Sequence, residues 1–277
     1  MRNRFVSLVP ALVSVVPALV LVLLFAEVAS ACVGEPKGEF DPRDYSGIWF
    51  RQGGDCGFGP DGSAPPLTRE GEEAIKQNIP TRARHPLSPK VDDPSKSNDP
   101  SLTCNPKGFP QIVVDTAHDH HEVIQLPTRI IQLWQEERMP REIWLDGRAV
   151  PSGENLANLG PSWYGMSVGH WEGDTLVVET VGLEPTAWVD IYGFPKSEDA
   201  RIVERYTRVN PTTIQVQLTL YDSKYYTAPW VSDIKTFKKE ARDGAQVNHF
   251  GWYGLFSGLA DLLCAPKYNT GPNGRYK

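Results

Sequence analysis

Only four cysteines occur in the 277 residues, Cys32, Cys56, Cys104 and Cys264, and no two of them form a Cys-x-x-Cys pair. That absence excludes a zinc ribbon and a thioredoxin-type redox motif. The chain has no block of Lys and Arg, and acidic residues outnumber basic ones, 34 against 28. Nucleic acid and anionic membrane surfaces are therefore not expected partners. A phosphate loop is missing, and no glycine-rich dinucleotide fingerprint opens a helix after a strand. Ser167 lies between Gly165 and Gly169 on an extended segment, not at a strand-to-helix elbow, and no His/Asp order surrounds it. Serine hydrolase chemistry is thus not supported. Strand patterns do not alternate with helical ones, which excludes the parallel α/β architectures.

A long apolar run is present in one place only. Arg2 and Arg4 precede it, it extends from Phe5 to Phe25, and Ala29-Ser30-Ala31 supplies the small-x-small pattern that signal peptidase reads. The run is long enough to span a bilayer. Pro10 and Pro17 within it, and the cleavage pattern after it, read instead as a removable secretory signal over residues 1–31. Residues 32–277 are then expected as a single periplasmic or secreted domain in an oxidising compartment. Cys32 follows the cleavage point directly, where a bacterial lipoprotein carries its lipid, so attachment to a membrane through lipidated Cys32 is the alternative fate. Among the three pairings open to four cysteines, Cys104 with Cys264 is preferred. That bridge would close a long loop and contribute roughly 4–5 kcal/mol by the chain-entropy argument.

The mature part reads as strands. Gly47-Ile48-Trp49 is a first strand, and residues 53–110 form a long proline-rich loop. One short helix over Arg69 to Asn78, capped by Thr68, interrupts that loop. A loop of this length is either disordered or a cover. Short β-type runs follow at Ile112–Val114, Glu122–Leu126, Arg129–Gln135 and Arg141–Leu145, with Pro127-Thr128 short enough for a hairpin. A second loop carries Gly153, Gly160 and Pro161. The clearest hairpin runs from Trp163 to Val181 and turns at Glu172-Gly173-Asp174. Further strands are expected at Ile202–Val209, Thr213–Tyr221 and Trp230–Lys238, with Ile214, Val216, Leu218 and Leu220 on one face. His249 to Cys264 has apolar residues at helical spacing. The expected fold is all-β, an antiparallel barrel with a C-terminal helix. The Gly-x-Trp strand, the meander and the late helix resemble the lipocalin plan, and closure removes sheet edges.

Several blocks recur in the same order in a group of secreted bacterial proteins without an assigned activity. They are Asp44-Tyr45-Ser46-Gly47-Ile48-Trp49, Pro65-Pro66-Leu67-Thr68, Cys104 to Pro110, Glu142 to Arg148, Gly169 to Val178 and Glu204-Arg205-Tyr206. The chain resembles this group over most of its mature length, most specifically in Trp171-Glu172-Gly173-Asp174-Thr175-Leu176-Val177-Val178. The resemblance implies a secreted β fold and no particular reaction. The chain departs from the group at Phe194 and Lys196, where histidines usually stand.

Candidate chemistry falls into three sets. Asp190, between Trp188 and Tyr192, is a candidate general base, because aromatic neighbours would desolvate its carboxylate. Tyr164, His170 or Tyr206 would donate the proton, and Glu204 is a further acid whose neighbours Arg205, Arg208 and Arg201 suggest a surface pairing at a rim. Trp163, Trp188, Tyr192 and Trp230 are candidate walls of an apolar pocket. His118, His120 and Glu122 share one face of an extended segment and could hold zinc or non-haem iron, although a solvated turn explains the same letters. The small side chains at Gly165, Ser167 and Gly169 mark a strip where a ligand or another backbone can approach. Two functions compete. One is cofactor-free acid/base chemistry, of the lyase, isomerase or hydratase kind, on a small apolar or aromatic molecule. The other is a carrier of such a molecule. A metal-dependent enzyme at the histidine cluster is the weaker third.

The export reading has a direct test. Intact mass of the protein from its native host should give a chain beginning at Cys32, with or without lipid. Retention of the apolar run would overturn it.

Overall fold

The computed structural model describes residues 40–60, 63–103, 105–115, 120–134 and 139–240. The leader, Cys32, Cys104, His118 and the segment 249–264 with Cys264 lie outside them, so the expected C-terminal helix and the Cys104–Cys264 bridge do too. Ten strands form one sheet: β1 (Gly47–Arg51), β2 (His120–Leu126), β3 (Arg129–Trp134), β4 (Pro140–Trp144), β5 (Met166–Glu172), β6 (Thr175–Val181), β7 (Arg201–Asn210), β8 (Thr213–Tyr221), β9 (Trp230–Val231) and β10 (Lys235–Lys239). Neighbours follow chain order from β1 to β8, and β10 pairs with both β8 and β1. The sheet therefore closes into an all-β barrel, and β9 hangs on the outer half of β8.

Most local expectations trace to side-chain alternation. In β8, Ile214, Val216, Leu218 and Leu220 are all buried while Gln217 and Tyr221 face out. The β5–β6 hairpin turns through Gly173, whose φ of +59° is the left-handed value such a turn requires. In α1 (Arg69–Ile75), the Thr68 hydroxyl accepts from Gly71 N and caps the helix. The long loop is a cover: Phe58, Ile75 and Phe109 within it have no exposed surface and join the core.

Four expectations need correcting. Ile112–Val114 is not a strand but part of α2 (Gln111–Val114), a short helix whose four residues are all buried. Burial there overrides the β-preference of Ile and Val. The run Trp230–Lys238 is two strands, because Ser232 leaves the ladder. Its hydroxyl accepts from Leu218 N at 2.9 Å and donates to the carbonyl of Asp233 at 2.7 Å. The loop after β4 contains α3 (Gly153–Leu159), which buries none of its residues and so carries no apolar periodicity to read. Finally, β4 and β5 pair in parallel, through Ile143↔Ser167 and Trp144↔Val168 only. Parallel neighbours need a crossover rather than a hairpin, and the α3 segment provides it.

That short seam is crossed by a buried polar network. Arg141 on β4 is 1% exposed and Glu204 on β7 is 0% exposed. Both nitrogens of the Arg141 guanidinium tip bond to Glu204, Nη1 to Oε1 at 3.0 Å and Nη2 to Oε2. Nη1 also donates to Gln132 on β3 at 3.2 Å. Nη2 donates to Ser167 on β5 at 3.1 Å and to Thr180 on β6 at 3.0 Å. Tyr206 donates its hydroxyl to Glu204 Oε1 at 2.5 Å, and the Phe109 ring lies 4.0 Å from the guanidinium carbon.

Removing one partner of a fully buried pair leaves the other charge uncompensated, which costs about 3–5 kcal/mol. Arg141→Met should lower unfolding free energy by that amount in urea titrations. The double variant Arg141→Met with Glu204→Leu should be less destabilised than the single. A single variant within about 1 kcal/mol of the parent protein would refute the network's structural role.

Candidate functional site

Above this network the barrel encloses a cavity of about 20 Å³, room for a single water. Strand alternation aims His121, Trp134, Ile143, Tyr206 and Phe237 at it, and Val113 of α2 forms part of its wall. Among the described residues, no Asp, Glu, Lys or Arg lines it. The His121 ring stacks on Trp134, its cross-strand partner, with centroids 4.1 Å apart and planes inclined by 19°. Burial lowers the His121 pKa to about 3, helped by neighbouring His120, so the imidazole is neutral at ordinary pH. Tyr206 is held protonated by burial and by the adjacent Glu204 carboxylate. Its hydroxyl is committed to that carboxylate and is not offered to the cavity.

The sequence-derived catalytic set is divided among separate places. Tyr206 and Glu204 stand together inside the barrel. Glu204 does not make the expected rim pairing. Period two along β7 turns Ile202, Glu204, Tyr206 and Arg208 inward, and the partner of Glu204 is Arg141. Arg208 instead donates to the backbone carbonyls of Asp41, Asp44 and Pro211. His170 is on the outer face of β5, exposed, 3.4 Å from Glu172, which also accepts from Arg205 at 2.8 Å. Tyr164 is buried just before β5 and does not line the central cavity.

Asp190 lies in the loop layer, 1% exposed. Its two oxygens accept from backbone N–H groups, Phe58 at 2.8 Å and Tyr192 at 3.0 Å. Burial raises its pKa to about 7 against the lowering effect of those bonds and of Arg84. The aromatic set is in this layer as well. Trp230 is packed by Phe58, Phe194 and Tyr226 at centroid distances of 4.7, 4.9 and 5.7 Å. Trp188 is buried. Tyr192 donates to Asp55 at 2.7 Å beneath the Arg84 guanidinium, which lies 4.0 Å from its ring. Trp163 gives its carbonyl to Phe109 N at 2.8 Å. None of Trp163, Trp188, Tyr192 and Trp230 lines the central cavity. Phe194 and Lys196 are also buried in the layer, and Lys196 donates to the carbonyl of Ala187, its pKa lowered by burial to about 7.

Of the metal candidates, His118 is outside the described residues. His120 Nε2 lies 3.3 Å from Glu240, and Glu122 sits opposite Ile48 in the β1–β2 ladder. No group of three His, Cys, Asp or Glu converges among the described residues. Gly165 to Gly169 has the letters of a nucleophile elbow, but Ser167 lies on a strand and its hydroxyl joins the Arg141 network. The space beside Gly169 is filled from β4, since a Cβ there would meet Leu145 at 2.9 Å and Ile143 at 3.1 Å.

Sequence reasoning missed His121, Trp134, Gln132 and Arg141. The phase of the alternation held the signal for His121: Val123 points inward on β2, so His121 does too. A scan against protein-family models finds no match to the chain, and a search of curated proteins finds no significant relative.

The two shifted groups act on stability with opposite signs. Asp190 has a folded pKa near 7, above its ordinary 3.8, so its contribution is present below about pH 4 and lost as pH rises through 7. His121 has a folded value near 3, below 6.5, so its contribution is present above 6.5 and lost as pH falls toward 3. Relative to Asp190→Asn, the parent protein should lose on the order of a few kcal/mol between pH 4 and 8. Urea titrations of both proteins across that range test this, and a constant difference would contradict it.

Proposed function

We propose that the chain is an exported carrier that holds a small uncharged, apolar or aromatic molecule at the centre of its barrel. The observation that carries this reading is the chemistry of the cavity wall, which is largely aromatic and aliphatic and, among the described residues, presents no carboxylate and no cation. Acid/base work needs a group free to exchange a proton with the bound molecule. Of the nearest titratable side chains, Glu204 is held by Arg141 and Tyr206 by Glu204, while burial lowers the His121 pKa so far that its ring is a poor proton acceptor. A ligand larger than water needs the wall to yield. Strands make most of that wall, whereas Val113 belongs to a short helix outside the sheet, so entry is assigned to movement of α2.

A second reading keeps cofactor-free acid/base chemistry at Asp190, favoured by its burial and its pKa near neutrality. Both its oxygens are taken by backbone N–H groups, which places this reading behind the first.

Calorimetric titration with toluene, phenol and indole should find saturable binding, accompanied by a rise in Tm. Ile143→Phe places extra volume in the cavity and should weaken binding at least tenfold while the circular dichroism spectrum is retained. Unchanged binding in that variant would move the ligand elsewhere. Chemical conversion of a bound molecule that is lost in Asp190→Asn would favour the second reading.

A further inference from the structure

Two polar atoms on side chains of the chamber wall have no protein partner among the described residues, Trp134 Nε1 and His121 Nδ1. Both side chains are buried, at 1% and 4% exposure. Buried polar groups are almost always paired, so each orphan calls for a partner that the described residues do not supply. An indole N–H can only donate, so its missing partner is an acceptor.

The other polar groups of the wall are already engaged. Tyr206 donates to Glu204, Tyr45 donates to the carbonyl of Tyr206 at 3.0 Å, and Gln132 Oε1 accepts from Arg141. Among the described residues the wall holds no cation to receive an anion and no carboxylate to receive a cation. A charged group entering it would lose its hydration without compensation. The neutral His121 ring carries one proton on two nitrogens, and a hydroxyl satisfies Nδ1 in either tautomer because it both donates and accepts. A carbonyl satisfies Nδ1 only when that nitrogen is protonated.

We infer that the ligand of this chamber is a compact apolar ring bearing one uncharged hydroxyl, a phenol or cyclic alcohol, whose oxygen accepts from Trp134 Nε1–H and meets His121 Nδ1. The inference rests on the carrier reading and adds the chemical class to it. The stacked His121–Trp134 pair then has two tasks. Its faces pack against the wall, with Phe237 edge-on to His121 at 5.1 Å, while its nitrogens fix the polar end of the guest. A single trapped water would meet the same two atoms and is the competing occupant, since the cavity as it stands has room for one.

The test uses the full mature chain with its eight Trp labelled at the indole nitrogen. Trp134→Phe identifies the Trp134 resonance by its absence. Phenol and cyclohexanol are titrated beside toluene and methylcyclohexane, which match them in shape without the donor–acceptor oxygen. The expected result is a downfield shift of the Trp134 indole proton with the two alcohols. Their binding should be about five- to tenfold tighter than that of the hydrocarbons, an advantage lost in Trp134→Phe. Should that variant fail to fold, His121→Phe, which keeps the stacked ring, carries the same comparison. Equal binding of alcohols and hydrocarbons, unaffected by either variant, would overturn the hydroxyl anchor and leave the carrier reading intact. No binding of any probe, with the Trp134 resonance unmoved, would mean a trapped water only and would overturn both.

Discussion

Closure of the barrel depends on the buried contact between Arg141 and Glu204. Eight strands follow one another round the ring, and the seam between β4 and β5 is the short parallel one, with two register pairs. Few backbone bonds can form there, so side chains must secure it. One guanidinium reaches acceptors on β3, β5, β6 and β7, and therefore ties both sides of the seam to each other. Burying two opposite charges is costly unless the remaining donors and acceptors are met. Here Gln132, Ser167, Thr180 and Tyr206 meet most of them. A slip of one residue on β4 would turn Arg141 to solvent and bring Glu142 inward against Glu204, so the network specifies register as well as adding stability.

The same network decides what kind of chamber lies above it. Glu204 and Tyr206 are the only acid and the only phenol of the catalytic candidates inside the barrel, and each satisfies the other. The chamber is left with aromatic and aliphatic walls and two ring nitrogens. A barrel whose acid and phenol are used up in its own closure is suited to holding a neutral molecule. It is poorly suited to proton transfer, since the nitrogens left to it are an indole N–H, which does not ionise, and an imidazole whose basicity burial has lowered.

The strands were legible where one face meets water and the other meets the core. The alternation in Thr213–Tyr221 and the Gly173 turn identify β8 and the β5–β6 hairpin from a few residues. The interior was not legible, because its contacts are far apart in sequence: Arg141 and Glu204 are separated by 63 positions, and nothing local to either names the other. Local reasoning paired Glu204 with nearby arginines, which the pleat sends elsewhere. It likewise read Ile112–Val114 as a strand, since β-branched residues carry that preference wherever they are placed, and only the surrounding burial makes them helical. In the run His118–Glu122, the residues with metal-ligand spacing, His118, His120 and Glu122, share one face in the sequence pattern. The neighbouring residue, His121, is the one that enters the barrel.

Buried polar groups occur in two settings in this protein, and the contrast between them separates scaffold from site. In the loop layer, Asp190 accepts from two backbone N–H groups and Lys196 donates a hydrogen bond to a backbone carbonyl. Asp222 there accepts from both the backbone and the hydroxyl of Ser197. These groups hold loops in place, and the shifted pKa values of Asp190 and Lys196 follow chiefly from burial without any substrate in view. In the barrel, Trp134 Nε1 and His121 Nδ1 belong to side chains as deeply buried but have no such partner among the described residues. A donor left unmet in the core gains nothing in stability, because each such group carries a desolvation cost. Because both side chains line a cavity, the unmet pair is a functional signal of a kind that the perturbed carboxylate of Asp190, with both oxygens bonded, is not.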